Sequence, residues 1–358
     1  MDEVGMTQRK VDVLIAGQGL AGSLCAFEMM QRGLTVMVVD PVPERSSSLA
    51  AAGLFNPVTG RKMVKTWQAD VLFDRLMSYY PAMEKELGAS FFHPKTIYRP
   101  FVEMAEQNDW QGRWSDSSFA GFIDAVMPPN AFQEHCVDPY GGVSLAKSGW
   151  VNLPELISAV REYLKGHDSW RQGELKEEEV AISEDGVVWQ DIEARWLVHC
   201  TGTGAATPDT YWGWLPFRPV KGEVLLLDLE EPLPQIYNRG VFVLPVDDKQ
   251  AKVGSTYHHD LSPGPTEKGK NEMLGKLEAL LRVPFTVVGH WDGIRPATKD
   301  RRPMIGQHPE YAPLWIFNGL GAKGVSLGPW FVGQLADAMI DGKALWPEVD
   351  IERFATYY

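Results

Sequence analysis

Within the first forty residues the apolar positions form two short continuous runs. They are Val11-Asp12-Val13-Leu14-Ile15-Ala16 and Leu34-Thr35-Val36-Met37-Val38-Val39-Asp40. Runs of this length, rich in Val and Ile, predict buried strands. Ala21 to Gln31 carries no proline and predicts a helix, so the order is strand, glycine turn, helix, strand. Downstream, Ala69 to Leu87 sets Val71, Leu72, Leu76 and Met77 on one helical face. Thr96 to Val102 predicts a strand, and polar helices and loops follow to about Asp138. Asp138-Pro139-Tyr140-Gly141-Gly142 is turn chemistry. Asn152 caps a helix running to about Lys165, with Pro154 in the first turn, where its missing N–H costs nothing. Glu193 to Cys200 predicts a buried strand. Gly222–Leu229, Gly240–Val246, Lys252–Tyr257 and Phe285–Trp291 predict a strand-rich layer, interrupted by a helix over 267–282. The chain ends with a strand, Leu314 to Phe317, a glycine loop, and a helix from Gly328 to about Ile340.

The first turn reads Gly17-Gln18-Gly19-Leu20-Ala21-Gly22, a complete GxGxxG. Gly17 suits the tight turn, Gly19 leaves room for a pyrophosphate at the backbone, and Gly22 lets helix and sheet pack closely. The helix start offers free N–H groups and a positive dipole end. Asp40 ends the second strand, placed to accept hydrogen bonds from both hydroxyls of an adenosine ribose; a 2′-phosphate there would meet a negative charge. The unit points to an adenine dinucleotide, FAD or NAD. The competing reading is a glycine-rich turn in some other βαβ unit. The run Leu49-Ala50-Ala51-Ala52-Gly53 brings small side chains that let backbone pass close to something flat, or simply pack a helix end. Thr201-Gly202-Thr203-Gly204 is a second glycine-containing turn after a strand, as a dinucleotide gripped from two sides would require.

Length changes this picture by allowing two domains in 358 residues. The formal charge of −13 makes the chain a poor general nucleic-acid binder, with short basic clusters only at Arg61-Lys62 and Arg301-Arg302. Cys25, Cys136 and Cys200 are far apart and read as small apolar residues, not as bridge halves or metal ligands. Met1 to Lys10 is polar and no apolar run is long enough to span a bilayer, so the expectation is a cytoplasmic protein with no signal peptide and no membrane span.

Several ordered blocks resemble the FAD-dependent D-amino-acid oxidase superfamily, nearest to glycine oxidase and sarcosine oxidase-like enzymes. They are Gly17 to Asp40; Ala50-Ala51-Ala52-Gly53; Arg195 to Gly204; Val220-Lys221-Gly222-Glu223; Trp291 to Asp300 followed by Pro303-Met304-Ile305-Gly306; and Asn318 to Gly324. The glycine end, Gly319 to Leu327, also looks like the FAD domain of the enzyme that finishes wobble-uridine modification in tRNA. The resemblance implies an α/β fold: a doubly wound, Rossmann-type FAD-binding domain of discontinuous segments (1–58, 148–208, 293–358) and an α+β substrate domain with a largely antiparallel sheet (59–147, 209–292). It implies oxidation of the C–N bond of an amino acid or N-substituted amino acid, by hydride transfer to the flavin, with oxygen or another acceptor reoxidising it. A tRNA wobble-uridine oxidase and a non-catalytic flavin-binding protein stand as alternatives; the charge and the absence of an attached methyltransferase domain weigh against the first.

For the cofactor the resemblance points to Gly17, Gly19, Leu20, Ala21, Gly22, Asp40, Ala51, Ala52, Gly53, Thr201, Gly202, Arg295, Gly319, Gly321, Ala322, Lys323, Gly324 and Val325. For catalysis it points to Arg295, Lys252 and Tyr257. Arg295 lies where the family carries a substrate-carboxylate arginine, and a guanidinium makes two parallel charge-assisted bonds to a carboxylate. The bland alternative is an arginine paired with Asp292 or Asp300. Lys252 would stand near the flavin and help oxygen react, or be a solvated strand lysine. Phe242, Tyr257 and Trp291 would wall the pocket or simply pack the core; the family often has a tyrosine where Phe242 stands. His258 and His259 point to opposite faces of a strand, so at most one enters a site. The last helix, capped by Ser326 or Gly328 with Pro329 near its first position, would turn its positive end to the flavin.

Sarcosine oxidase-like enzymes carry a flavin-linking cysteine near Arg295, but no cysteine follows Cys200. FAD is therefore expected to be non-covalent. Purified protein should be yellow, and acid or heat should release intact FAD into the supernatant. Flavin retained in the precipitate would contradict this, and NAD in place of FAD would contradict the family.

Overall fold

The computed structural model describes residues 8–60, 62–113 and 116–358. The polar start Met1 to Thr7, and Arg61 of the first basic cluster, lie outside them. Five parallel strands run in the order Trp170–Gln172, Val36–Asp40, Arg9–Ala16, Ile192–His199 and Leu314–Asn318. Antiparallel strands Val187–Trp189, Val180–Ile182 and Met304–Gln307 extend this sheet. Its central strands are buried over their carboxyl-terminal halves, where both faces are covered. Val13, Ile15, Val36 and Val38 face one core, with residues of the helices Leu20–Gln31, Ala69–Leu87, Leu153–Gly166 and Gly324–Asp341. Leu14, Ala16, Met37 and Val39 face a second core with Trp189, Trp212 and Phe354.

The other large sheet has the order Phe285–Arg295, Val220–Leu229, Gln250–Gly254, Val241–Pro245, Ile236–Arg239, Ile97–Pro100, Gly142–Leu145, Ile123–Met127. All its ladders are antiparallel except Ile236–Arg239 with Ile97–Pro100. On one face Leu225, Leu227, Ala251 and Val253 pack with Met273 and Leu277 of the helix Glu267–Glu278. The opposite face looks toward the first sheet. The fold is thus the expected mixed α/β architecture. The boundary placed between residues 292 and 293 falls inside one continuous strand, Phe285–Arg295.

Four local expectations fail. The strand expected over Lys252–Tyr257 ends at Gly254, because the next polar groups leave the ladder. Thr256 Oγ1 accepts the Glu223 N–H (3.0 Å), and His258 N–H donates to the Lys221 carbonyl (3.0 Å). The stretch read as polar helices and loops contains the strand Ile123–Met127, whose partner Gly142–Leu145 lies directly after a turn that reads as loop. The strand expected to stop at Trp291 continues to Arg295. The last helix starts at Gly324 with Lys323 as its N-cap, so neither Ser326 nor Gly328 caps it and Pro329 lies in its interior.

An interior proline deprives the carbonyl four residues earlier of its donor. That carbonyl belongs to Val325, which is buried, and the buried Tyr80 hydroxyl donates to it instead (2.9 Å). The local rule that puts proline in a first turn is overridden by a residue 249 positions away. Tyr80→Phe should leave this carbonyl unpaired and cost about 1–3 kcal/mol, read from urea unfolding of the FAD-loaded protein. Adding Pro329→Ala returns a main-chain donor and should recover part of the loss. No recovery would mean that the phenol is not substituting for the missing N–H.

Candidate functional site

The glycine turn sits at the carboxyl end of Arg9–Ala16. Gly17 has φ +91° and a side chain there would come within 2.9 Å of the Cys200 carbonyl. A Cβ at Gly22 would lie 1.8 Å from the Gly17 carbonyl oxygen. Only glycines allow this crossing of turn, helix and the Ile192–His199 strand. Gln18, the variable residue between the first two glycines, is 3% exposed. Its Nε2 donates to Ile157 O (3.0 Å), and its Oε1 accepts from Arg161 Nε (2.8 Å) and Trp170 Nε1 (3.0 Å). Ser48 Oγ accepts the Leu20 N–H at 3.0 Å, in the helix's first turn. Asp40 accepts the Gln18 N–H (2.6 Å) and the Val42 N–H (2.8 Å), one on each oxygen. A carboxylate has about four lone-pair sites, so it keeps capacity for ribose hydroxyls.

The second glycine turn and the last loop are tied by Asn318, 2% exposed, whose Nδ2 donates to Gly202 O (2.9 Å) and whose Oδ1 accepts the Gly319 N–H (2.8 Å). Around these turns opens a cavity of about 960 Å³, at the upper end for ligand sites. Gly17, Gly19, Leu20, Ala21, Asp40, Ala51, Ala52, Gly53, Thr201, Gly202, Arg295, Gly321, Ala322, Lys323, Gly324 and Val325 all line it. Gly22 and Gly319 do not line it; they pack behind it, against Gly17 and against Thr298 and Met304. A long cavity bordered by a glycine turn, a helix start, a ribose-competent carboxylate and a strip of small residues fits FAD.

The far wall is the open face of the second sheet, and two glycines shape it. A Cβ on Gly222 would fall 2.0 Å from Arg295 Nη2, so the guanidinium lies flat over that glycine. A Cβ on Gly254 would fall 2.9 Å from the Phe242 ring, which lies over it in the same way. Arg295 Nη2 donates to Ser255 Oγ (2.7 Å) and Nη1 to the Thr256 carbonyl (3.3 Å). No carboxylate pairs with Arg295 among the described residues; Asp300 is held by Arg353 (2.9 Å) instead. Burial without a counter-charge pulls the Arg295 pKa below the usual arginine value. Behind it, Glu223 is fully buried and takes Thr266 N–H (2.9 Å), Thr266 Oγ1 (2.8 Å) and His290 Nε2 (2.8 Å), while its own N–H fixes Thr256.

Other expected residues stand elsewhere. Tyr257 is 54% exposed and does not line the cavity, since the strand has already ended. Lys252 alternates with the core-facing Ala251 and Val253 and so shares the face of Gly254 and Phe242, one step beyond the cavity lining. It has no acidic partner among the described residues, and desolvation lowers its pKa. Trp291 Nε1 donates to Ala50 O (2.9 Å) and is a strut between the second sheet and the short helix Ser47–Ala50. His258 bonds Glu272 (3.0 Å), and neither it nor His259 lines the cavity. Phe242 does line it. Ser255, Asn238, Gln18, Ser48 and Asn318 line it too; Gln18 and Asn318 fall inside the glycine-rich blocks noted in the sequence, but none of the five was given a role there. Single polar residues on strands and turns carry no periodic signal.

No helix among the described residues is long and apolar enough to cross a membrane. A model of the family described as FAD dependent oxidoreductase (DAO) matches residues 12–339. Glycine oxidase of Pseudomonas putida is 26% identical over 342 residues, covering 88% of this chain and 91% of that protein. The bifunctional protein ThiO/ThiG of Synechocystis is 25% identical; the chain spans only 52% of its length. The crystal structure of glycine oxidase from Geobacillus kaustophilus superposes with a TM-score of 0.79 at 21% identity, over 97% of this chain and 98% of that one. With the glycine turn, the strip of small residues and a family match over nearly the whole length, the chain belongs to the FAD dependent oxidoreductase (DAO) family and is an FAD-dependent oxidoreductase.

Proposed function

We propose that the protein oxidises the C–N bond of an amino acid or an N-substituted amino acid, with FAD held non-covalently. The observation that carries this reading is Arg295: a desolvated guanidinium at the cavity wall, fixed by Ser255 and Thr256, with no carboxylate among the described residues to neutralise it. A substrate carboxylate supplies the missing charge through a forked contact. The likeness to glycine oxidase of Pseudomonas putida supports the same choice.

FAD, when bound, supplies the acceptor for the hydride leaving the α-carbon. The chain supplies position. Arg295 anchors the carboxylate and so fixes the α C–H relative to the cavity. Phe242 and Val224 present apolar surface beside it and keep water from the reacting carbon. The acids lining the cavity, Asp40, Glu174, Glu177, Glu178 and Asp209, all come from outside the second sheet, whose lining residues include no acid and no histidine. The amine therefore loses its proton to solvent before reaction, and alignment does the rest. The start of the last helix, at Lys323 and Gly324, turns its positive end toward the cavity and favours negative charge there.

Arg295→Ala should keep fold and FAD while losing roughly 3–6 kcal/mol of transition-state binding for an amino acid, two charge-assisted bonds at about 1.5–3 kcal/mol each. Lysine should rescue only partly. The amine lacking the carboxylate should bind wild type poorly and be nearly indifferent to the change. Equal losses for acid and decarboxylated amine, or loss of FAD, would make Arg295 architectural.

Lys252 is proposed to assist oxygen, as a partly buried cation on the cavity-facing side of the sheet that stabilises developing superoxide. Lys252→Met should slow reoxidation of the reduced enzyme by oxygen far more than reduction by substrate, measured as separate half-reactions in stopped flow. Equal effects on both, or none, would leave it a strand lysine.

A further inference from the structure

Asn238 lies on the strand Ile236–Arg239, directly opposite Phe242 in the antiparallel ladder. Residues opposite one another share a face of a sheet. Phe242 faces the cavity, and so does Asn238, whose neighbour Tyr237 is buried in the core behind. The Asn238 amide is half-buried, lines the cavity and has no hydrogen-bond partner among the described residues. On one side its rung carries Phe242, Gly254 and Val224, and on the other the parallel ladder brings Arg99, held by Glu106 (2.8 Å). A half-buried amide of this kind discriminates, because an occupant that cannot pair with it leaves it desolvated and unbonded.

The sheet also fixes where that group stands relative to Arg295. The guanidinium lies over Gly222 and bonds Ser255 and Thr256, just beyond Gly254. Asn238 shares the rung of Gly254, two strands away, and Gly222 lies one strand further and two residues along, so anchor and amide stand at opposite ends of this part of the wall. The Phe242 ring fills the interval. The wall thus reads, in order, anion anchor, aromatic floor, neutral amide.

Resting on the reading of Arg295 as a carboxylate anchor, we infer that Asn238 sets substrate specificity. The substrate class is an amino acid carrying a neutral hydrogen-bonding group beyond its α-carbon, on the side chain or on the nitrogen. The amide both donates and accepts, so a carboxamide, hydroxyl or carbonyl end suits it, and an aliphatic end of equal size does not.

Achiral probes test this without knowing the preferred hand. N-(carbamoylmethyl)glycine and N-isobutylglycine are nearly isosteric and differ in the polarity of the far end. Anaerobic stopped-flow bleaching of the FAD-loaded enzyme gives the ratio of their reduction efficiencies. Wild type should favour the carbamoyl probe by roughly tenfold, and Asn238→Leu should bring the ratio to about one or invert it. Asn238→Asp, which keeps size and polarity, should transfer preference to N-(2-aminoethyl)glycine, with FAD content confirming the fold of both variants. A wild-type ratio near one, or a ratio unchanged in Asn238→Leu, overturns the inference while Arg295 still holds. No bleaching by glycine or by either probe overturns the amino-acid reading and the inference with it.

Discussion

A half-buried guanidinium with no carboxylate beside it among the described residues is the constraint on which the second sheet depends. Taking a charge out of water is expensive unless it is paired or hydrogen-bonded. Arg295 meets the cost in part through the Ser255 hydroxyl and the Thr256 carbonyl. Both acceptors are neutral, so the positive charge remains available. A protein carboxylate in their place would have stabilised the resting fold and removed the attraction for an anionic substrate. Holding those acceptors in place requires the buried Glu223, whose backbone fixes Thr256 while its carboxylate ties Thr266 at the head of the helix Glu267–Glu278. Layers of hydrogen bonds behind the sheet therefore exist to keep one cation in register on its front.

Glycine makes that register possible. Gly222 and Gly254 are the positions where a larger residue would lift Arg295 and Phe242 off the sheet. Neighbouring strands each contribute one vacancy, and a side chain from the next strand lies in it. The cavity wall is flat because of what is missing from it. The same principle operates at the other end, where Gly17 and Gly22 let turn, helix and strand meet at distances no side chain allows.

What could be read from the chain follows the range of the forces involved. The dinucleotide unit was legible because it is local: continuous apolar runs buried on both faces, a glycine turn between them, an acid at the end. The helix Ala69–Leu87 was legible because its apolar face repeats with the helical period. Arg295 and the strip Ala51 to Gly53 came from resemblance in ordered blocks, and the cavity does contain them. Pro329 misled because a local preference for first turns yielded to a distant phenol. Tyr257 misled because the strand stops at Gly254, where Ser255 and Thr256 leave the ladder to serve other partners. Gln18 and Asn318 fell inside quoted blocks but their roles were invisible, since each acts on residues remote in sequence; Asn238 drew no attention at all, because a single amide alters neither a period nor a composition.

The strand Phe285–Arg295 joins these two ends. On one face it presents Trp291, Gly293 and Arg295 in strict alternation. Trp291 donates to the Ala50 carbonyl (2.9 Å), and Gly293 sits so close to Ala50 that a Cβ would approach its methyl at 2.7 Å. Ala50 ends the short helix Ser47–Ala50, which also places Ser48 against the first amide of the dinucleotide helix. Two residues further along the strand, Arg295 reaches across Gly222. A single rigid strand thus touches the small-residue strip that borders the cofactor cavity and carries the cation that receives substrate. The distance between the two is set by the rise of an extended chain, about 3.4 Å per residue, and not by a loop. A substitution at Gly293 would push the strand away from Ala50, and because Arg295 lies on the same face two residues on, the anchor would move with it while every substrate-contacting side chain remained intact.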